Sequence, residues 1–152
     1  MSKTLIVSDY GQHVCGVQAD VLSFAEYLAQ YPKANEQKTR VINLCDTEQY
    51  LSEGYYCSLL AEARQHEVLP SVSTIIDIAS QLQNSGEMQL IVPSHLTKVL
   101  NTQLAQHEQS QQAFELPIYC GNTSLEGFTR LANFLFTQCR LPLLTARFLK
   151  AG

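Results

Sequence analysis

The chain lacks several things, and each absence excludes a class of protein. No apolar run approaches the ~18 residues that a membrane span needs. The opening MSKTLIVSDYG has only three consecutive strongly apolar residues before Ser8 and Asp9, too few for the core of a secretory signal. Charged residues are scarce at 16%, and ten basic side chains against fourteen acidic ones give a net charge of −4. The lysines and arginines are scattered, without the basic stripe that nucleic-acid binding leaves. The five cysteines are an odd number with no CxxC pair, which fits neither a disulfide framework nor a zinc site. Free thiols in a reducing compartment are the simpler reading. There is no G-x-G-x-x-G for a dinucleotide and no G-x-S-x-G nucleophile elbow. These absences predict a cytoplasmic protein with neither membrane nor nucleic acid among its partners.

What remains is an ordinary globular composition. The 152 residues are 45% hydrophobic, enough for one domain that needs no covalent staple. Lys3 to Ser8 reads as a strand with a continuous apolar centre, as in strands buried on both faces. Val21 to Phe24 reads as a short strand, and Ala25 to Tyr31 as a short helix ended by Pro32. Lys33 to Lys38 reads as a surface loop. Arg40 to Cys45 is a strand and Val68 to Pro70 another, with a helix between them. Ser71 or Ser73 caps a helix that Asn84-Ser85-Gly86 ends. Met88 to Val92 is a further strand candidate, and Ser94 to Ala105 a helix. Phe114 to Cys120 is a strand in which Pro117 argues for an edge. Thr123 with Glu126 has the form of a capping box, opening a helix through Phe128, Leu131, Ala132, Leu135 and Cys139. Leu143 to Leu149 alternates as a half-exposed strand. Strands alternating with helices predict an α/β domain: a mainly parallel sheet flanked by helices, a Rossmann-like or flavodoxin-like three-layer sandwich. The last strand stops at Ala151-Gly152 as if entering a hairpin turn, so the chain is expected to continue.

Most chemical motifs fail on inspection. Gly11-x-x-x-x-Gly16 lacks the lysine and hydroxyl of a phosphate loop, having Val17 and Gln18 instead. Asp9 and Asp46 end strands, as acids do in phosphoacceptor domains, but caps and turns account for them. His13 and Cys15 are two ligands from one loop, which do not make a metal site. His66, His95 and His107 sit near helix ends and receive no catalytic role.

The richest stretch runs from Arg40 to Ser71. Asp46 with Gln49 resembles a capping box, so the helix is expected to begin there. Leu51, Tyr55, Leu59 and Ala63, with Tyr56 and Leu60, give an apolar stripe of helical period. Asn43, Cys45, Asp46, Tyr50, Ser52, Gly54 and Tyr55 cluster where strand hands over to helix, the edge at which open parallel sheets bind ligands. Two readings of Cys45 stand: a buried inert thiol, which is preferred, or a thiol activated by the helix N-terminus. Gly54 costs up to ~1 kcal/mol early in a helix, so something must approach its backbone closely. Helix–sheet contact and a ligand on the helix N-terminus both answer. The expectation is a concave rim facing another molecule.

The string NLC, then Tyr50 to Ser58 (YLSEGYYCS), LLAEAR, His66 and Val68-Leu69-Pro70-Ser71 resembles the N-terminal domain of RimK-like ATP-grasp ligases. Weaker echoes are the strand ending at Asp9, Glu26-Tyr27-Leu28, Ile118-Tyr119-Cys120-Gly121 and Leu143-Leu144-x-x-Arg147-Phe148. The resemblance implies an α/β domain that precedes an ATP-grasp module. Enzymes of that superfamily join a carboxylate to an amine through an acyl phosphate, using ATP and magnesium. The groups that grip ATP and metal belong to the later module, so this chain is expected to bind no cofactor and to lack ligase activity alone. Its implied partners are that module and an amino-acid or peptide substrate, with a homo-oligomer also possible. No catalytic residue carries over. The candidate binding positions are Asn43, Cys45, Tyr50, Ser52, Gly54, Tyr55, Arg64 and Ser71, with Ser58 in the same pattern. Asp46 stands where relatives often carry a basic residue, which counts against an anion there. The alternative is a stand-alone flavodoxin-like binding or regulatory module taking a small anion at the Tyr50–Tyr55 turn; an independent thiol enzyme using Cys45 is a third reading.

Overall fold

A computed structural model describes residues 2–9, 19–30, 37–49, 51–86, 88, 90–106 and 114–148. The chain divides into two compact units, Met1–Met88 and Gln89–Gly152. The architecture is α/β with a parallel sheet flanked by helices, as the alternation of elements predicts.

In the first unit, β1 (Lys3–Val7), β2 (Asp20–Leu22), β3 (Thr39–Asn43) and β4 (Glu67–Leu69) form a parallel sheet in the order β2-β1-β3-β4. Helices α1 (Phe24–Ala29), α2 (Glu53–Ala63) and α3 (Val72–Ser85) accompany it. Residue alternation sorts the two sheet faces. Leu5, Val7, Val41 and Val68 share one buried cluster with Tyr27 of α1 and with Cys57 and Ala61 of α2. Both helices therefore cover the same face. Across the other face, Val21, Ile6, Ile42 and Leu69 fall in register.

The caps explain where the helices start. Ser23 makes a complete capping box with Glu26 and starts α1 one residue earlier than the periodicity suggests. Tyr31 and Pro32, read as the end of that helix, lie outside the described residues. Asp46 does not open α2. Its Oδ1 accepts from the Glu48 amide, closing a local turn, and Ser52 is the true N-cap. Ser71 caps α3, and Gly86 ends it in the left-handed conformation, both as expected.

The face that α2 buries differs from the predicted stripe. Gly54, Cys57, Ser58 and Ala61 are buried, while Tyr56 and Leu59 are substantially exposed. The small side chains let the helix lie close to the sheet, and the large ones are displaced to its flanks. Periodicity weighted by hydrophobicity chose the wrong side of a helix whose buried face is small and partly polar.

The second unit holds α4 (Ser94–Gln106), β5 (Phe114–Tyr119), α5 (Thr129–Cys139) and β6 (Leu143–Phe148). Strands β5 and β6 pair antiparallel, and among the described residues Pro117 lies on a strand with one neighbour, as its missing N–H requires. Strand β6 alternates exposed and half-buried positions, as read. Met88, Leu90, Ile91 and Val92 form no strand; Leu90 and Val92 pack against the core of this unit instead. That core joins Leu100, Leu116, Ile118, Phe128, Leu131, Ala132 and Leu135. Thr123 and Glu126 do not cap α5. Thr123 Oγ1 accepts from the Leu125 amide at 3.4 Å, and Phe128 takes the N-cap position with no side-chain bond. Burial of the Phe128 ring fixes that helix start where a polar cap was expected. Cys120 and Gly121, at φ 48° and 85°, turn the chain between Tyr119 and Asn122, the pair of positive φ values that a type I′ turn needs.

Candidate functional site

In the first unit the connection leaving β1 runs to one side of the sheet, and the later strands fill the other side. The direction changes between β1 and β3, and ligands of open parallel sheets bind outside the strand carboxyl ends at such a point. The Leu44 amide donates to Val7 O at 2.8 Å, extending the β1–β3 pairing past the ladder. The Asp46 amide then donates to Asp9 Oδ2 at 2.9 Å. Asp9 and Asp46, both exposed, thus form the rim of the switch point. Glu48 and Glu53, also exposed, add two carboxylates along the same turn. This rim favours a cation or an amine over an anion.

Beneath the rim lies a polar brace. The Asn43 side chain is only 2% exposed. Its Nδ2 donates to Gly54 O at 2.7 Å and to Ser58 Oγ at 2.9 Å, and its Oδ1 accepts from the Cys45 amide at 3.0 Å. Ser58 passes the chain on, donating to Pro70 O at 2.7 Å. Among the described residues, no buried side-chain nitrogen or oxygen is left without a hydrogen-bond partner. One asparagine therefore ties the exit of β3, the first turns of α2 and, through Ser58, the approach to α3.

Gly54 shows what its missing side chain permits. Its amide donates to Asp46 O at 3.0 Å. A Cβ there would overlap that carbonyl oxygen and stand 2.7 Å from Thr47 Cγ2. The close approach is made by the chain itself, as the β3–α2 turn folds back on the helix start.

Cys45 is buried. Its thiol is pushed well above the ordinary range, first by the neighbouring Cys57 thiol, then by burial, then by the Asp9 carboxylate. This is the inert reading of Cys45; the helix N-terminus does not activate it. Cys57 is wholly buried and Cys120 is exposed.

The other predicted positions separate into two places. Ser52 caps α2, its Oγ accepting from the Tyr55 amide at 3.4 Å. Tyr55 is half-buried and stacks edge-on against Tyr56. Ser71 follows β4 on the same sheet edge and accepts from the Thr74 amide at 3.1 Å. Arg64 lies at the far end of α2, about 18 Å from Ser52 by helical rise. There its guanidinium donates to the carbonyls of Tyr27 and Leu28 and covers the Tyr27 ring. The Tyr27 hydroxyl meets His66 Nδ1 at 2.9 Å. Arg64 thus caps α1 and is not brought to the rim. Tyr50, with the loop from Tyr10 through Gly11, His13, Cys15 and Gly16, and His107 lie outside the described residues.

Sequence reasoning saw Asp9 and Asp46 as strand-end acids but not as a bonded pair. The available signal was that each is the first acid after one of two strands flanking a switch point. The Cys45–Cys57 contact left no sequence signal, since nothing in the spacing shows a strand exit meeting the second turn of a helix.

A family model described as the RimK-like ATPgrasp N-terminal domain matches residues 24–152. The chain belongs to that family. No curated protein and no solved structure matches it significantly. The RimK-like match spans both units, including the Asn43 brace, the α2 start and the β5–β6 pair.

Among the described residues no three His, Cys, Asp or Glu side chains group to hold a metal ion. The α3 start already receives a carboxylate, with the Val72 amide donating to Glu62 Oε1 at 2.8 Å. Glu53 occupies the first turn of α2. These helix starts do not fit a nucleotide phosphate, whose charge they would repel. No membrane-length apolar helix occurs among the described residues.

Proposed function

We propose that this chain is the substrate- or partner-facing domain of an ATP-dependent carboxylate–amine ligase of RimK-like ATP-grasp type. Membership of the RimK-like family supports the ligase context. The observation that carries the finer reading is the acidic rim of Asp9 and Asp46 at the switch point. An amide-forming ligase must hold an amine acceptor, and an ammonium group is what such a rim attracts. In this reading the downstream module binds ATP and magnesium and activates the carboxylate. The present domain shapes the acceptor side and has no ligase activity alone. The brace beneath the rim keeps it rigid, as a preorganised binding edge requires.

The test uses the parent protein with its ATP-grasp module. Amino-acid- or peptide-dependent ATP turnover is expected, and Asp46→Asn should raise the KM for the amine with kcat little changed. An intact parent showing neither ATP binding nor amine-dependent turnover overturns the proposal.

The alternative of a free-standing module that takes a small anion at the α2 start is less well supported. Gly54 N and Tyr55 N are already bonded within the chain, and Glu53 stands beside them.

A further inference from the structure

The two strands of the second unit differ at their outer edges. The Cys120 amide donates to Pro142 O at 2.8 Å, one position beyond the Tyr119–Leu143 pair. Hydrogen-bonded pairs alternate with non-bonded pairs along an antiparallel ladder. Leu144, Ala146 and Phe148 therefore turn their backbone groups toward β5. Leu143, Thr145 and Arg147 turn theirs outward, as Glu115, Pro117 and Tyr119 do on the opposite side. The β5 edge is closed. Pro117 has no N–H, and Tyr119 exchanges both of its groups with Asn122, at 2.7 and 2.9 Å. The β6 edge is open. Among the described residues, no backbone group pairs with the outward N–H and C=O of Leu143, Thr145 or Arg147. The ladder runs from Phe114–Phe148 to Tyr119–Leu143 without a bulge, and β6 contains neither proline nor lysine. It lacks the usual guards of a sheet edge.

We infer that β6 pairs antiparallel with β6 of a second copy of this chain, joining the two β5–β6 sheets into one. The same patch then serves both copies about a twofold axis. The strand itself selects the register. With Thr145 opposite the partner's Thr145, Leu143 faces the partner's Arg147 and Arg147 faces the partner's Leu143. Every outward N–H and C=O on the two edges then finds a partner. The side chains agree with this register. On the exposed face, one row across the joined sheet reads Tyr119, Leu143, the partner's Arg147 and the partner's Glu115. Tyr119 and Leu143 are 56% and 53% exposed, and the arginine stem would cover the leucine. The Glu115–Arg147 ion pair, at 3.8 Å, is kept. On the core face, the next row reads Ile118, Leu144, the partner's Ala146 and the partner's Leu116, apolar throughout. A register centred on Arg147 would set two guanidinium groups opposite each other, which is destabilising. One centred on Leu143 would place Thr145 and Arg147 opposite residues outside the strand. This interface does not rest on the ligase reading, and either can fail alone.

The chain is examined by sedimentation equilibrium over a range of concentrations, with amide hydrogen exchange followed in parallel. The mass is expected to rise toward that of a dimer, and exchange at Leu143, Thr145 and Arg147 to slow as it does. Thr145→Pro removes an outward N–H and leaves the β5 ladder intact, so it should weaken self-association at least about tenfold. Thr145→Cys, in a chain that also carries Cys120→Ser, should on oxidation join position 145 of one copy to position 145 of the other, since opposed residues of a bonded pair lie within disulfide reach. Should Thr145→Pro fail to fold, exchange in the unsubstituted chain and the cross-link decide. A chain that stays monomeric, with fast exchange at the three amides, overturns the inference. So does a dimer in which those amides still exchange fast, because its contact lies elsewhere. Protection of the same amides in a monomeric parent protein with its ATP-grasp module also overturns it, because another segment then covers the edge.

Discussion

The two units build their cores from opposite materials. In the first, α2 meets the sheet with Gly54, Cys57, Ser58 and Ala61, and the space is organised by the hydrogen bonds of Asn43. In the second, Leu131, Ala132 and Leu135 of α5 join Leu116 and Ile118 of β5 and the Phe128 ring at the helix start in one apolar cluster. A small face brings helix and sheet close enough for side chains to reach backbone groups, so direction specifies the fit. A large face fills space, so volume specifies it. The directional core lies under the candidate rim, where a fixed shape matters most.

This contrast can be broken in graded ways. Leu135→Ala should be the most damaging change, losing about 4 kcal/mol through a cavity, as measured by urea unfolding. Leu135→Met, which keeps volume, should cost under about 1.5 kcal/mol. Gly54→Ala should cost roughly 3 kcal/mol for a single added methyl, because the Asp46 carbonyl occupies that space. A neutral Gly54→Ala would mean that added volume is tolerated in the first unit, and the comparison would fail. Asn43→Ala should cost about 2 kcal/mol by leaving buried partners unmet. Asn43→Leu should not recover that loss, whereas recovery would show that volume governs both cores alike.

Arg64→Lys should cost about 1 kcal/mol, since a lysine cannot keep both carbonyl contacts and cover the Tyr27 ring. Amide hydrogen exchange at the end of α1 is the sensitive readout. The smallest effect concerns pH. The Cys45 thiol is raised from 9.0, so the folded chain keeps a proton that the unfolded chain gives up near that value. Stability from this group is fully present below the unfolded value and is lost as pH climbs through the alkaline range above it. Burial raises Cys139 in the same direction. Cys45→Ala should flatten the alkaline decline seen in urea midpoints, and an unchanged slope would remove the proposed thiol contribution.

The difference between the cores also decides what was readable in the sequence. Helix α5 announced itself, because Leu131, Leu135 and Cys139 repeat at helical spacing and are buried. Helix α2 is legible as a helix, but of its apolar stripe only Leu60 packs against the core, because glycine, serine and cysteine, which fill its buried face, carry little weight in a hydrophobic pattern. Capping boxes cannot be told from spacing alone. The two that the sequence offers, Asp46–Gln49 and Thr123–Glu126, lie in turns, and the one that forms, Ser23–Glu26, falls where the sequence reads as the end of a strand and the start of a helix. At the rim, the handover from Asn43 to Tyr55 was visible as an unusual run of polar and aromatic residues. That Asn43 faces inward, and that Arg64 belongs to a different corner, depends on long-range contacts that no local window contains.

The relay from Asp46 to Pro70 has a mechanical consequence. Asp46 O holds Gly54 N, Gly54 O holds Asn43, Asn43 holds Ser58, and Ser58 holds the carbonyl just before the Ser71 cap. A molecule that pulls on the β3–α2 turn therefore loads the foot of α3 through four links in series. Whatever docks at one lip of the sheet edge is felt, by direct linkage, at the other.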